Sequence, residues 1–326
     1  MTLDQRNFQE AIEKDIAPFA IKKLQNAFLE LAERYRDKDH RKKILADQDF
    51  FIANPIQRAA YLAYRFPATF AVALRVLDEV TPILNPVSLL DLGAGPGTLT
   101  LAALSIFPTL KEVCLMEQDL GWRESAKHLH GLSPTPLAYQ QRDFTVEQFS
   151  AYDVIGSSYA LSELPVAKQK EVVERAWKSA EKAVILIEPG TPYGFAAILE
   201  ARTLLLKLGA SIAAPCPHPL ECPLAALGDW CHFSQRLERS KIHKLVKEGE
   251  LGYEDEKFSY LIAVKVPFTP YKARLVHPTE KHGGHIRLSL CTSQGLLRPT
   301  FSKKDGELYK TLRKLEWGDC IKDLNV

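Results

Sequence analysis

Ser88-Leu89-Leu90 runs into Asp91-Leu92-Gly93-Ala94-Gly95-Pro96-Gly97-Thr98, so a short apolar strand meets three alternate glycines and then the start of a helix. Glycines at such a junction let the backbone turn sharply and let a ligand approach without meeting a Cβ atom. The spacing is G-x-G-x-G, which differs from the G-x-G-x-x-G of dinucleotide sites. Glu117 ends the next apolar run, 20 residues past Gly97. A carboxylate at that place can accept both hydroxyls of a ribose.

Working outward, short apolar runs alternate with helical stretches from Ser88 onward, the signature of βα units on a parallel sheet. SLLDLG, VCLMEQ, YDVIGSS, AVILIEPG and ASIAAP read as strands, and GTLTLAALSIF, LPVAKQKEVVERAWKSA and YGFAAILEARTLLLKLG as helices. A further strand, KFSYLIAVKVP, follows a cysteine-rich stretch. Residues 1–86 carry apolar positions three and four apart, punctuated by Pro55, Pro67 and Pro82, and read as a helical domain. Within it Arg58, Arg65 and Arg75 face either a partner or solvent. The expected division is a helical domain at 1–86, a Rossmann domain at 87–268 with a cysteine-rich insertion at 214–250, and a basic β module at 269–326.

The glycine spacing resembles the first motif of Rossmann-type methyltransferases, whose loop wraps the methionine end and ribose of S-adenosylmethionine. The expected fold class is therefore α/β, a Rossmann-type class I S-adenosylmethionine-dependent methyltransferase fold with an N-terminal helical domain, a cysteine-rich insertion and a small C-terminal β module. The expected cofactor residues are Asp91, Gly93, Ala94, Gly95, Gly97 and Thr98, with Glu117 and Gln118 for the ribose, Asp143 and Phe144 for the adenine, and Ser157 at the end of the fourth strand. A glycine turn that has lost its ligand would read the same way. An amino-group methyltransferase carries an acid or Asn with Pro and an aromatic after that strand, whereas this chain has Gly156-Ser157-Ser158-Tyr159-Ala160-Leu161-Ser162-Glu163-Leu164. A C5-cytosine methyltransferase needs a Pro-Cys there, and Pro215-Cys216 falls two strands late. Ser158, Tyr159 and Glu163 face the expected target pocket, and the catalytic residue is unknown.

Cys216, Cys222 and Cys231 are spaced C-x5-C-x8-C, and Cys291 lies on a later β-like segment. These gaps are wider than zinc knuckles. Prolines after Cys216 and Cys222 point to an iron–sulfur cluster, as at a cluster-ligating cysteine of bacterial ferredoxins. His218 and His232 keep zinc open as the alternative, and three small buried thiols are the plain one. Cys114 and Cys320 read as structural.

The net charge of +2 is uneven: from His232 onward cations exceed acids by six. Arg236, Arg239, Lys241, His243, Lys244 and Lys247 form a basic run at helical spacing. Lys272, Arg274, Lys281, Arg287, Arg298, Lys303 and Lys304 continue it. Such a surface suits a polyanion or plain solvent. The first 30 residues lack the apolar core and cleavage site of a secretory signal and are poor in Arg and Ser, and no apolar run is long enough for a bilayer. The expectation is a cytoplasmic protein with no membrane partner.

The run DLGAGPGT, SSYALSELP, IEPGTPYGF, APCPH, CP, WCHFSQRLERSKIHK, EDEKFSYL and LEWGD resembles the methyltransferase-like family of mitochondrial small-ribosomal-subunit assembly proteins and their bacterial relatives, over roughly residues 55–320. The resemblance implies association with the small ribosomal subunit and its rRNA, S-adenosylmethionine binding, and a [4Fe–4S] cluster on Cys216, Cys222, Cys231 and Cys291. Without the targeting segment of mitochondrial members, the chain looks like a bacterial, cytoplasmic one, monomeric when off the ribosome. Three readings follow: an rRNA-binding assembly or translation factor without chemistry, an active rRNA methyltransferase, or an iron–sulfur redox sensor coupled to ribosome assembly.

Overall fold

The computed structural model describes residues 5–36, 52, 54–131, 133, 135–247, 251–268 and 271–322. By compactness the chain divides into two units, Met1–Lys182 with Gln235–Glu256, and Ala183–Ser234 with Lys257–Val326.

The first unit opens on helices α1 (Gln5–Ile16), α2 (Ile21–Arg36) and α3 (Pro55–Asp78). The start of α3 is written locally: the Asn54 side chain accepts from the Gln57 amide at 2.9 Å, and Pro55 occupies the first turn, where its missing N–H costs nothing. Pro67 does not punctuate the helix, which runs through it. A proline inside a helix costs about 3 kcal/mol; here Leu62, Phe66, Val72, Ala73 and Val76 are buried along its length, and this burial outweighs that cost. Helix α3 packs against α1, α2 and α4 (Thr98–Ile106).

Beside the helices stands a parallel sheet of β1 (Ser88–Leu92), β2 (Glu112–Met116), β3 (Leu137–Gln140) and β4 (Tyr152–Ser158), with α5 (Trp122–His130) between β2 and β3. Leu90 pairs with Cys114 of β2 on one side and Ile155 of β4 on the other. The order β3-β2-β1-β4 means that the chain leaves β1 to one side and returns on the other. In open α/β sheets the crevice outside the carboxyl ends of strands at such a reversal is where ligands bind. The fold is the Rossmann-type methyltransferase α/β class, and the glycine loop sits at that reversal. Helix α6 (Val166–Ser179) follows β4.

The second unit takes up most of β5 (Ala180–Pro189), then α7 (Pro192–Lys207), β6 (Ser211–Ala214) and a one-turn helix α8 (Pro223–Ala226). Thr191 caps α7 by accepting from the Gly194 amide at 3.1 Å. The chain passes through β7 (Phe233–Glu238) and α9 (Lys241–Lys247) and returns along β8 (Tyr253–Val264), which runs antiparallel to both β5 and β6. The remainder is short strands: β9 (Ala273–Leu275), β10 (Glu280–Lys281), β11 (His285–Arg287), β12 (Leu290–Thr292), β13 (Gly295–Leu297), β14 (Thr300–Ser302), then α10 (Gly306–Leu312) and β15 (Cys320–Ile321). They pair as β13-β12-β9-β15 and β10-β11-β14 around Leu275, Ile286, Leu290, Phe301 and Leu312.

Candidate functional site: a glycine loop and a four-thiol cavity

The glycine loop is stitched to the neighbouring strand by Gly93 and Ala94, whose amides donate to the Met116 carbonyl at 2.9 and 3.3 Å. Its glycines differ in what demands them. At Gly97 (φ +82°) a Cβ would stand 2.2 Å from His130 Nε2. At Gly95 (φ +52°) a Cβ would meet nothing within 4 Å, so only the backbone angle demands glycine and the space above it is open. Phe144 lies against Gly93, and Ala94 and Thr98 are buried.

Two acids brace the loop. Asp91, 1% exposed, accepts from the Thr100 amide at 3.1 Å and its hydroxyl at 2.8 Å, which fixes the first turn of α4. Burial pushes its carboxyl up to about 7, against the pull of the Thr100 hydrogen bonds. Glu117 accepts from Gly95 N on Oε2 and from Asp119 N on Oε1, both at 2.9 Å. Burial raises its carboxyl as well, opposed by these amides. Each oxygen keeps a lone pair for a hydroxyl donor. Gln118 is exposed, so it borders the crevice without bracing it.

Asp143 spends Oδ1 on the Thr145 amide at 2.8 Å, and Arg175 Nη2 donates to the Phe144 and Thr145 carbonyls at 2.7 and 2.8 Å, so a cation from α6 pins this turn. Ser157, opposite Leu92 in register, is 1% exposed and its Oγ has no hydrogen-bond partner. His130 was invisible to sequence reading because nothing marks it among polar helix residues. It contacts the Pro96 carbonyl through Nε2 at 3.2 Å, and burial lowers it to about 4, so the ring is neutral.

Beyond β4, Tyr159 adopts φ +60°, uncommon for a residue other than glycine. The Arg65 guanidinium lies 4.9 Å from its ring centroid and pairs with Glu256 at 2.7 Å, while the tyrosine hydroxyl donates to the same carboxylate at 3.4 Å. Arg65 thus faces inward, as does Arg58, paired with Asp119 at 3.2 Å. Neither is a plain solvated arginine. Ser158 and Glu163 are half-buried nearby in sequence, with the Ser158 hydroxyl lacking a hydrogen-bond partner.

In the second unit, Cys216, Cys222, Cys231 and Cys291 line one small cavity together with His218, Arg202, Arg274 and apolar side chains including Phe195, Leu224 and Val276. Desolvation pushes the Cys231 thiol well up, and the other three thiols push it further. Cys291 goes up to about 12 for the same two reasons. Arg202 and Arg274 act in the opposite sense. Arg202 donates from Nε to Cys216 Sγ at 3.2 Å and from Nη2 to the His218 and Leu220 carbonyls. Arg274 donates to the carbonyls of Pro215 and Gly318 and to the Tyr271 hydroxyl. His218 Nε2 stands 3.4 Å from Cys291 Sγ, whereas the His232 ring is stacked on Trp230. Among the described residues no group of three or more His, Cys, Asp or Glu is arranged so as to hold a metal ion.

With this geometry in hand, the sequence pattern described as mitochondrial small ribosomal subunit Rsm22 matches residues 55–322. The chain belongs to the Rsm22 family. The human "Ribosome assembly protein METTL17, mitochondrial" is 29% identical over 289 residues, covering 80% of this chain and 61% of that protein. The "Rsm22-cox11 tandem protein 2, mitochondrial" of Schizosaccharomyces pombe is 25% identical over 323 residues, covering 81% of this chain and 43% of its own length. The chain therefore spans about three fifths or less of these relatives. A solved magnesium protoporphyrin IX methyltransferase from Synechocystis, with bound SAM, resembles it at a TM-score of 0.38 and 15% identity, over 60% of this chain and 81% of that one.

Membership of the Rsm22 family corrects the expected cytoplasmic location, since the relatives are mitochondrial proteins. The physical reason is that Gln5–Ile16 and Ile21–Arg36 are helices packed on α3, so the composition read there reflects packing and is no guide to location. No helix among the described residues is long and apolar enough to cross a membrane.

The basic run of this Rsm22-family chain also differs from expectation. Residues 233–238 are strand, not helix, and only Lys241–Lys247 is helical. Arg236 pairs bidentately with Asp255 at 2.7 and 2.8 Å, and Arg239, His243 and Lys247 converge on Glu254. His243 is 0% exposed. Lys241 and Lys244 stay exposed. Arg274 leaves the surface altogether, at 2% exposed, for the thiol cavity.

Proposed function

We propose that this chain is an S-adenosylmethionine-binding, methyltransferase-like protein that binds small-subunit rRNA and assists assembly or translation of the small ribosomal subunit. The observation that carries the cofactor reading is the bond from Gly95 N to Glu117, made beside open space at the reversal of the sheet. In this reading Asp91, Gly93, Ala94, Gly95, Gly97 and Thr98 form the cradle, and Glu117 with Gln118 takes the ribose. Asp143 and Phe144 flank the adenine, and Ser157 lends its spare hydroxyl to the methionine end. Bound there, the cofactor supplies an activated methyl group. The ribosomal part rests on the Rsm22 family and on a relative named as a ribosome assembly protein. The chain acts as a monomer off the ribosome.

Calorimetry with S-adenosylmethionine, followed by incubation with small-subunit rRNA and methyl-labelled cofactor, tests both halves. Binding without label transfer is expected. Label on the RNA would make the chain an active rRNA methyltransferase, and the absence of heat with folded protein would remove the cofactor site.

For the thiol cavity we propose a [4Fe–4S] cluster held by Cys216, Cys222, Cys231 and Cys291. Four soft sulfur donors share one cavity, a donor set that suits such a cluster. Two buried arginines supply positive charge where four thiolates would bring negative charge. The cluster would tie the segment 216–231 to β12, making its binding part of folding. Iron and sulfide analysis of protein purified without oxygen tests this: about four of each per chain are expected, and one zinc without sulfide would overturn it.

A further inference from the structure

Strands β10 and β11 form a hairpin, Glu280 opposite Arg287 and Lys281 opposite Ile286, whose tip is His282-Gly283-Gly284-His285. The His282 amide donates to the His285 carbonyl at 2.9 Å and closes the turn. Its base is rooted in the second unit, since β11 pairs with β14 and Ile286 and Phe301 are buried in the same core.

The tip itself is dressed for contact. The imidazoles of His282 and His285 stack at 4.6 Å between centroids and 17° between planes. A Cβ on Gly283 or Gly284 would meet nothing within 4 Å, so the backbone between the two rings is bare. Lys303 N donates to the Gly284 carbonyl at 3.2 Å, which brings the turn Lys303-Lys304 alongside. Lys281, Lys303 and Lys304 are exposed, and no carboxylate pairs with them among the described residues. The acids nearest in sequence are engaged elsewhere: Glu280 pairs with Arg287 at 3.6 Å, and Asp305 accepts from the Ser302 amide and hydroxyl. The basic run at 236–247, in contrast, is largely neutralised by Glu254 and Asp255.

We propose that this hairpin is a single-stranded RNA contact: the stacked histidines receive an unpaired base, and Lys281, Lys303 and Lys304 take the flanking phosphates. Flat rings beside a glycine turn and free cations match what unpaired RNA offers, a π face and a repeating phosphate. A duplex hides its base faces in the stack and gains only from the lysines. The inference rests on the rRNA-binding reading and says which surface performs it.

The test uses the full chain, with anisotropy of a fluorescein-labelled single-stranded RNA of about 20 nucleotides and of its duplex, across a salt series. Wild type is expected to prefer the single strand. The variant H282A/H285A should weaken that binding about tenfold and leave duplex binding unchanged, because one stacked base is lost. The variant K281A/K303A/K304A should flatten the dependence of log affinity on log salt by about 2, at roughly 0.7 per phosphate contact. Cross-linking of wild type by 4-thiouridine RNA, mapped to 281–285, gives a reading that no variant's folding can disturb. Wild-type affinity and slope in both variants, with cross-links elsewhere, would overturn the hairpin while RNA binding stands. Displacement by polyglutamate as readily as by RNA would reduce it to charge alone. Failure of wild type to bind either RNA would sink the rRNA reading and the hairpin together.

Discussion

The Glu117 carboxylate holds the Gly95 amide at 2.9 Å with one oxygen and the Asp119 amide at 2.9 Å with the other, so a single side chain at the end of β2 sets the height of the loop that ends β1. Glu117→Gln keeps one acceptor but turns an NH2 group toward an amide donor. It should destabilise the fold by about 1–3 kcal/mol, the range for a buried donor losing its charged acceptor, and weaken S-adenosylmethionine binding at least tenfold by calorimetry. Wild-type affinity would remove Glu117 from the site.

Gly95 and Gly97 should respond in opposite ways. Gly95→Arg enters open space, costing about 1 kcal/mol for the left-handed backbone, and should abolish cofactor binding in a protein that melts nearly as wild type does. Gly97→Ala drives a methyl into His130 and should cost about 3 kcal/mol. Thermal melts of the pair read this directly, and a milder Gly97 variant would mean that His130 moves aside.

Asp91 makes stability pH-dependent in an unusual sense. Its folded carboxyl titrates at about 7 against 3.8 for the ordinary group. Between those values the unfolded chain binds fewer protons than the folded one, so stability falls as pH rises and the full cost is present above 7. Asp91→Asn keeps an acceptor for Thr100 and should gain roughly 2–4 kcal/mol over wild type at pH 8, with the difference fading toward pH 4. Urea midpoints at the two pH values check it, and a gain independent of pH would refute the buried-acid account.

Glu254 works in the other direction. Burial opposes its ionisation, yet hydrogen bonds from His243 and Lys247 hold its carboxyl down at about 2 against the usual 4.5. Its contribution is present above 4.5 and disappears as pH falls toward 2. Glu254→Gln should cost about 3 kcal/mol at pH 7 and little in acid, measured by denaturation at each pH.

Cys222→Ser should lower metal content and destabilise the second unit, seen as an earlier protease cut after Lys257 during limited digestion. Full metal occupancy would take Cys222 out of the ligand set.

The glycine loop and the strands around it were legible because their determinants are local: a turn demands glycine, and period-two or unbroken apolar runs demand strand. Asp91 and Glu117 were found by position alone. Arg65 and Glu256, 191 residues apart, carry no mark in sequence of their pairing beneath Tyr159. Arg274 counted as a surface cation because charge is read residue by residue, whereas its burial depends on Pro215 and Gly318 supplying carbonyls from elsewhere in the chain. The neutralising of the basic run was within reach of the sequence, because the acids that do it, Glu254 and Asp255, stand only a few residues downstream.

Cys291 sits on β12, far downstream of the three cysteines that share its cavity. During synthesis those three leave the ribosome as reactive thiols with nothing to close over them, and they stay so until the last part of the second unit emerges. Loading of a metal group at this cavity would therefore certify that synthesis had passed β12, and a product terminated before Cys291 would be chemically distinguishable from one that contains it.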